Sequence, residues 1–218
     1  MNLLIVIPSY NSNNTLSKLI NSLNSEYSYS ILVIDDGSSP SFLLDSPNLT
    51  VLKNIQNRGK GYSLLKGFSY ASSKGYSHVL TMDADLQHNY LEVSKFIDYS
   101  PEVEFVLGYR ERSNNMPILR RASNMITSAI VAFLTGVKII DSQCGFRRYS
   151  LESVLDIDYI ENGFQFESEV LIKCINKNSK IRQIKIETIY DKNNKSYIRH
   201  ISDTLKFIRL IIRSIIKG

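Results

Sequence analysis

Two aspartates separated by one residue, Asp83 and Asp85, occur in the segment TMDADLQH at 81–88, directly after a short apolar run. In extended backbone, side chains two positions apart point to the same side, so the two carboxylates can converge on one point. Paired carboxylates repel each other unless a cation lies nearby, and Mg²⁺ or Mn²⁺ is the natural occupant because hard divalent ions prefer oxygen ligands. The alternative is structural, with one aspartate capping a helix and its neighbour solvated.

Polar residues that suit a nucleoside follow two earlier apolar runs. PSYN at 8–11 follows the first run and DDGSS at 35–39 follows the second. An ionised carboxylate there can accept hydrogen bonds from the ring N–H and amino group of a nucleobase, and Tyr10 can pack against it or use its hydroxyl. The structural alternative is an Asx turn at Asp35 or Asp36 and a helix cap at Asn11.

Two further groups could bind anions. NRGKG at 57–61 opens a helical stretch, whose free N–H groups and positive dipole end favour anions, although its glycines can also serve turn geometry alone. Arg110 ends an apolar run, and Arg120 and Arg121 enter a long helical stretch. Guanidinium groups match phosphate oxygens, so these arginines could neutralise a leaving group or an acceptor, unless they are simply solvated.

An alternation of strands and helices must position these residues. Apolar, β-branched runs predict strands at 3–7, 31–34, 50–52, 78–82 and 104–107, and helical spacing predicts helices at 15–23, 61–72 and 90–97. This alternation predicts an open, largely parallel α/β sheet whose ligands bind beyond the carboxyl ends of the strands. Farther along, we expect a helix at 117–134, a loop through 145, a helix at 166–175, a strand at 181–187 and a last helix.

The composition limits the class of protein. The chain has 218 residues, 43% hydrophobic and 22% charged, which excludes disorder and low-complexity scaffolds. Cys144 and Cys174 are too few and too separated for a zinc ribbon or a disulfide framework, so we expect buried thiols. No signal segment or long apolar run is evident, so the chain is predicted to be cytoplasmic and not to cross a membrane. The net charge of +5 suits nucleic acid, anionic lipid or phosphorylated small molecules equally well.

The segment 202–218 has the pattern of a basic amphipathic helix. Basic residues recur on one stripe from Arg199 to Lys217, while Leu205, Phe207 and the isoleucines at 208, 211, 212, 215 and 216 occupy a broad opposite arc. This apolar arc either packs on the domain or on a partner subunit, or it docks on a membrane surface.

Taken in order, six motifs resemble those of family 2 glycosyltransferases. Within that family the chain is most similar to the dolichol-phosphate mannosyltransferase and polyprenyl-phosphate glycosyltransferase branch. The motifs are VIPSYN at 6–11, VIDDGSS at 33–39, NRGKG at 57–61, MDADLQH at 82–88, GYR at 108–110 and DSQCGFR at 141–147. The resemblance implies a nucleotide-diphosphate-sugar donor, an inverting mechanism and a nucleotide-binding α/β fold of the A type. With the patterns above, the predicted fold is a single domain with a mostly parallel central sheet and a C-terminal amphipathic helix.

Site residues carry over from the resemblance by position. The residues implied to bind the donor and its cofactor are Pro8, Tyr10, Asn11, Asp36, Asp83, Ala84, Asp85, Gln87, Arg110 and Arg120. Among them, Asp83 and Asp85 are implied to hold Mg²⁺ or Mn²⁺ on the donor diphosphate. Asn124 stands where the branch often has serine. NKSY at 194–197 replaces an acceptor segment of the Gly-x-Ser-Lys kind; the cations that could substitute for its lysine are Lys192, Lys195, Arg199 and His200.

The reaction implied by the resemblance needs charge stabilisation on the departing nucleoside diphosphate. A metal on Asp83 and Asp85, aided by Arg110, is predicted to provide it. Asp141 is the candidate base or acceptor-positioning group, because it opens the loop that resembles the family's acceptor-side motif. Glu167 and Glu169 compete for that role unless both are solvated in a first helical turn. Two residues apart on one helix, they cannot both face the site.

The leading interpretation is a metal-dependent inverting enzyme that moves a hexose to a polyprenyl phosphate, dolichyl or undecaprenyl phosphate. It would contact the cytoplasmic face of the membrane peripherally, through its C-terminal helix. One alternative acceptor is a sugar hydroxyl in capsule, cell-wall or lipid-linked glycan synthesis. An alternative of another class is a non-catalytic nucleotide-sugar-binding subunit.

Domain organisation and partners complete these expectations. We predict one domain over 1–218, with a nucleotide-sugar-binding half at 1–110, an acceptor-side half at 111–200 and a basic amphipathic helix at 201–218. We expect no nucleic-acid partner. A second copy of the chain and a membrane protein are the alternatives for a protein partner.

Overall fold

The computed structural model describes residues 1–111, 118–189 and 200–217, without the side chains at 119, 120, 200–204 and 217. Within this part of the chain, seven strands form one sheet. They are β1 (Leu3–Ser9), β2 (Ser30–Asp35), β3 (Leu49–Lys53), β4 (His78–Thr81), β5 (Phe105–Arg110), β6 (Arg147–Ser150) and β7 (Ile181–Ile186).

The strand order is β3-β2-β1-β4-β6-β5-β7. β1 pairs in parallel with β2 and β4, β2 with β3, and β5 with β7, whereas β6 runs antiparallel between β4 and β5. The predicted mostly parallel α/β sheet is confirmed. Since the chain continues from β1 to β2 on one side and returns to β4 on the other, the ends of β1 and β4 flank a switch point, where open α/β sheets bind ligands.

Helices cover both faces of the sheet. They are α1 (Asn13–Glu26), α2 (Lys60–Ser73), α3 (Val93–Ile97), α4 (Ile118–Thr135), α5 (Leu151–Leu155), α6 (Phe166–Asn176) and α7 (His200–Lys217), and a 3₁₀ turn at Tyr90–Glu92 precedes α3. The predicted strands and helices are confirmed at their positions. The predicted helix at 90–97 is the 3₁₀ turn followed by α3.

The core lies in two layers, one on each face of the sheet. Leu4 and Val6 of β1 belong to the layer that contains α2 and α6, and Ile5 and Ile7 belong to the layer that contains α1. All four side chains are buried. Burial on both faces explains why the strands have continuous apolar runs rather than alternating patterns.

Two elements escaped the sequence analysis, β6 and α5. β6 begins with Arg147 and Arg148, a pair that is untypical of a buried strand, yet both side chains are fully buried. Arg148 donates to the carbonyl oxygens of Phe96, Tyr99, Ser100 and Val103. The arginines therefore satisfy carbonyls of neighbouring loops, and no hydrophobic period marks the strand.

Other predictions have mixed outcomes. Cys144 and Cys174 are buried free thiols, as predicted. The division of the chain at 110 and 200 stays a prediction. The segment NKSY at 194–197, with Lys192, Lys195 and Arg199, lies outside the described residues, as does the side chain of His200.

Candidate functional site

The predicted site residues lie at one edge of the sheet, the one formed by the carboxyl ends of its parallel strands. At this edge β1, β2, β4 and β5 end, and antiparallel β6 begins. The predicted residues in the segments that meet here are Pro8, Tyr10, Asn11, Asp36, Asp83, Ala84, Asp85, Gln87, Arg110 and Asp141. Arg120 lies in the first turn of α4, and its side chain is outside the described residues.

Asp36 is tied to the segment that opens α2. Its Oδ1 accepts hydrogen bonds from Asn54 Nδ2 at 2.7 Å and the Arg58 N–H at 2.9 Å, and its Oδ2 accepts from the Gly59 N–H at 2.8 Å. Gly59 has a φ of 97°, which residues with a Cβ rarely adopt. Asp36 therefore fixes the start of α2 against the end of β2. Asp35, by contrast, accepts from the N–H groups at 38 and 42 and forms a turn, which was the structural alternative.

The segment after β1 is joined to the segment after β2 through Asn11. The Asn11 N–H donates to Ser38 Oγ at 2.8 Å, and Asn11 Oδ1 accepts from the Ser39 N–H at 3.0 Å. Asn11 has a φ of 51°, a conformation that asparagine tolerates better than most residues. Pro8 and Tyr10 are half-buried beside this junction. The predicted nucleoside-side residues therefore form one connected surface.

Asp83 lies two residues after β4 and is held by two basic side chains. Lys60 Nζ, from the first turn of α2, is 2.6 Å from Asp83 Oδ1, and His88 Nε2 is 3.5 Å from Asp83 Oδ2. Burial alone would raise the pKa of Asp83, but the Lys60 ammonium, together with His88, lowers it below its usual range. Gly145 closes the other side, where an added Cβ would lie 2.5 Å from Asp83 Oδ2. Asp83 is therefore ionised and closely surrounded.

Asp85 has the opposite electrostatic character. Burial raises its pKa, and the charge of Asp83 raises it further. Asp85 Oδ1 accepts from the Gln87 N–H at 3.0 Å, which closes a turn, and Ala84 between the two aspartates is buried. The raised pKa of Asp85 thus reflects burial first and repulsion by Asp83 second, and a bound cation would oppose both.

The donor set fits a divalent cation that shares its ligands with a substrate. Among the described residues, no group of three or more histidine, cysteine, aspartate or glutamate side chains could enclose a metal alone. Mg²⁺, however, commonly takes one or two carboxylates and completes its shell with phosphate oxygens and water. Asp83 and Asp85 supply such a pair at the switch point.

Arg110 and Asp141 form a buried bidentate pair across the site. Arg110 Nε donates to Asp141 Oδ2 at 2.7 Å and Arg110 Nη2 donates to Asp141 Oδ1 at 3.1 Å. Asn124 Nδ2 and the Gln143 N–H also donate to Asp141 Oδ1. Burial opposes ionisation of Asp141, but Arg110, Asn124 and the Gln143 N–H outweigh it and lower the pKa of Asp141 to about 2. A carboxylate so engaged is a weak base, which favours the positioning role over the base.

The two glutamates of α6 face different surroundings, as their spacing predicted. Glu167 Oε1 lies 3.1 Å from Lys60 Nζ and so belongs to the Asp83 cluster. Glu169 faces the preceding loop, where it accepts from the N–H groups of Ile160 and Glu161 and pairs with Lys173 at 2.6 Å. Both are buried, so the expectation of a solvated first turn is wrong.

Among its described side chains, α7 (His200–Lys217) packs on the domain through one side and exposes apolar residues elsewhere. Leu210 is buried, Phe207 packs against the core, and Arg213 Nη1 lies 3.4 Å from Glu161 Oε1. Exposed apolar side chains on the outer side are Leu205, Ile208, Ile212, Ile215 and Ile216. None of the described helices is both long enough and apolar enough to span a bilayer.

Sequence reasoning missed several partners in this site. Lys60, His88 and Asn124 have no specific partner in the sequence analysis. Lys60 lies at the start of one predicted helix, Asn124 lies within another, and His88 ends the MDADLQH motif. Pairing them with Asp83 or Asp141 requires the tertiary structure.

Comparison with known proteins gives consistent matches. Residues 4–155 match the description "Glycosyl transferase family 2". UDP-N-acetylglucosamine--dolichyl-phosphate N-acetylglucosaminyltransferase of Methanococcus voltae is 26% identical over 213 residues, covering 85% of each chain. Polyprenol monophosphomannose synthase of Mycolicibacterium smegmatis is 26% identical over 200 residues, covering 84% of this chain and 76% of that protein.

A solved structure is similar over nearly the whole chain. It is glucosyl-3-phosphoglycerate synthase from Mycobacterium tuberculosis in complex with Mn²⁺, UDP-glucose and phosphoglyceric acid. The TM-score is 0.77 at 16% identity, and the match covers 98% of this chain and 79% of that one. At this identity the likeness concerns the fold.

The Arg110–Asp141 pair leads to a stability prediction. Folding lowers the pKa of Asp141 to about 2, whereas an aspartate in the unfolded chain has a pKa of about 4. Ionised Asp141 therefore stabilises the fold fully above about pH 4, and this contribution disappears as the pH falls toward 2. We expect Asp141→Asn to cost about 2 kcal/mol at pH 7 and clearly less at pH 3. Urea unfolding at both pH values measures this, with the exposed Asp98→Asn as control. An equal loss at both pH values would contradict the prediction.

Proposed function

Because this chain belongs to glycosyl transferase family 2 and has the A-type fold of these glycosyltransferases, we propose that it is a metal-dependent inverting enzyme that transfers a hexose from a nucleotide-diphosphate sugar to a polyprenyl phosphate. The observation that carries the proposal is the Asp83–Asp85 pair after β4, at the switch point of the sheet, at the same end of the sheet as the Arg110–Asp141 pair after β5. The names of the similar proteins, which mention dolichyl phosphate and polyprenol, support the lipid acceptor.

The donor nucleoside is proposed to bind at the junction of the segments after β1 and β2. There Pro8 and Tyr10 offer apolar and hydroxyl contacts, while Asn11 joins the two segments and Asp36 fixes the start of α2 beside them. Ala84 is buried between the two aspartates, and Gln87 lies on the turn that Asp85 closes. Arg120 is assigned to the donor phosphates by resemblance alone.

Charge develops on the leaving diphosphate as the bond to the anomeric carbon breaks. Asp83 and Asp85 would hold Mg²⁺ or Mn²⁺, which supplies Lewis-acid stabilisation of that charge. Arg110 adds a guanidinium whose orientation is fixed by Asp141, so no reorganisation is needed when the charge appears. This arrangement supports the proposed stabilisation of the leaving diphosphate by positive charge.

The acceptor determines whether the enzyme needs a general base. An ionised phosphate oxygen is already a nucleophile, whereas a sugar hydroxyl must lose a proton. Asp141, with its pKa of about 2 and its hydrogen bonds to Arg110, Asn124 and the Gln143 N–H, is poorly suited to remove one. Both facts favour the phosphate acceptor over the hydroxyl.

α7 is proposed to bring the enzyme to the membrane that holds such a lipid. Its outer side exposes Leu205 and four isoleucines, and Arg209 is exposed beside them. A helix with one apolar side in the interface and basic residues near anionic headgroups binds a membrane peripherally. The proposed location is the cytoplasmic face of the membrane.

The central test is transfer from radiolabelled sugar nucleotides, with UDP- and GDP-hexoses in separate reactions, to undecaprenyl phosphate or to a saccharide. We expect a Mn²⁺-dependent lipid product.

Asp85→Asn should lower turnover about 100-fold or more, without lowering the melting temperature, because it removes a repulsive charge rather than a packed group.

Asp98→Asn, which changes an exposed aspartate, is the matched control and should retain full turnover. Product with the saccharide but none with the lipid would overturn the acceptor assignment. Full turnover by a normally folded Asp85→Asn variant would overturn the metal assignment.

The membrane contact can be tested with the double variant Ile212→Ser/Ile216→Ser. Both side chains are exposed, so the fold should be unaffected. Each substitution should remove about 1.5–3 kcal/mol of the free energy gained when the isoleucine side chain is buried in the lipid interface. We expect at least a tenfold weaker partition into phosphatidylglycerol-containing vesicles, measured by co-sedimentation. Ile55→Ser, at an exposed position outside α7, is the control. Equal partition of the α7 variant and the wild type would contradict this contact.

A further inference from the structure

The Lys60 ammonium is an internal cation in the place where the divalent ion is proposed to bind. Lys60 Nζ lies 2.6 Å from Asp83 Oδ1 and 3.1 Å from Glu167 Oε1. The Lys60 side chain is 13% exposed and that of Glu167 is 4% exposed. Lys60 is therefore shared between a proposed metal ligand and a buried carboxylate of α6.

Two carboxylates share the Lys60 ammonium. Asp83 and Glu167 both lie within ion-pair distance of Lys60 Nζ, and the charge of Asp83 also acts on Asp85. Burial works against the Lys60 charge, but Asp83 and Glu167 outweigh it and raise the pKa of Lys60, so the ammonium persists. One ammonium therefore serves two carboxylates, which come from different parts of the chain.

Hydrogen bonds to the backbone fix the helix turns that carry Lys60 and Glu167. The N–H groups of Gly61 and Tyr62 donate to the Asn162 carbonyl oxygen, at 2.8 Å and 3.3 Å, and so fix the first turn of α2. Arg147 Nη1 donates to the Glu167 carbonyl oxygen at 2.9 Å and fixes the first turn of α6. The Lys60 side chain therefore extends from one fixed helix turn to a carboxylate on another and to Asp83 after β4.

We propose that Lys60 is the counter-ion of Asp83 when no divalent ion is bound. We propose further that Glu167 is the positioning residue that keeps Lys60 in an ion pair when a divalent ion binds Asp83. The inference rests on the proposed function only in its use of a metal. It predicts competition, because the Lys60 ammonium and the metal need the same Asp83 oxygen. Glu167 weakens that competition, since it gives Lys60 a second acceptor and adds negative charge near the metal.

The two side chains should thus have opposite effects on Mn²⁺ binding in the absence of any donor or acceptor. Lys60→Met removes the competing charge and should tighten Mn²⁺ binding about tenfold, whereas Glu167→Gln should weaken it about tenfold. Isothermal titration of Mn²⁺ into the full chain measures both. A merely structural role for Lys60 and Glu167 would weaken binding in both variants.

Lys173 and Glu169 provide matched controls, because they form a similar pair on α6 that does not contact Asp83. Lys173→Met and Glu169→Gln make the same charge changes and should leave Mn²⁺ affinity within about threefold of the wild type. Lys60→Arg and Glu167→Asp keep the charges and should also bind within about threefold. If Glu167→Gln does not fold, Lys60→Met and Glu167→Asp still decide the proposal.

Weaker Mn²⁺ binding by folded Lys60→Met, or unchanged binding by folded Glu167→Gln, would overturn the inference while leaving the proposed transfer reaction intact. A wild-type chain that binds no Mn²⁺ would overturn the metal assignment as well. If Lys60→Met binds Mn²⁺ more tightly and Glu167→Gln binds it more weakly, but the wild type transfers no sugar to the lipid, only the acceptor assignment would be overturned.

Discussion

Repulsion between the Asp83 and Asp85 carboxylates is the constraint around which this edge of the sheet is arranged. The pKa of Asp85 is raised by burial and by Asp83, while that of Asp83 is lowered by Lys60 and His88. Two half-buried charges of one sign are stabilised when groups of the opposite sign lie close to them. Lys60 comes from α2, which precedes β4, and Asp83 follows β4, so the two side chains meet only in the folded sheet.

The second half of the site depends on buried arginines rather than on apolar packing. Arg110 is held by Asp141 in a bidentate pair, and Arg147 donates to the carbonyl oxygens of Ser142, Cys144 and Glu167. Charge-assisted hydrogen bonds of this kind fix geometry more strictly than hydrophobic contacts do. The loop from Asp141 to Arg147 therefore has a defined shape although it contains no regular secondary structure before β6.

The sequence predicted the parallel sheet, the helices and the two aspartates because hydrophobic period and strand-end position are local signals. It did not predict β6, since Arg147 and Arg148 are buried through long-range hydrogen bonds to loops. It also could not pair Lys60 with Asp83 or Glu167, which lie 23 and 107 residues away in the chain. The character of Asp141 depends on Arg110 and Asn124, and sequence alone left its role open between base and positioning group.

The direction of β6 has a consequence for how the two sides of the site can diverge. The segments after β1, β2 and β4 leave the sheet at this edge, whereas the segment before β6 enters it and is anchored by its own arginine. Gly145 of this segment lies against Asp83, while Asp141 at its start holds Arg110. A substitution in this one short loop would therefore disturb both charged clusters together, so the two sides of the site are expected to vary in concert.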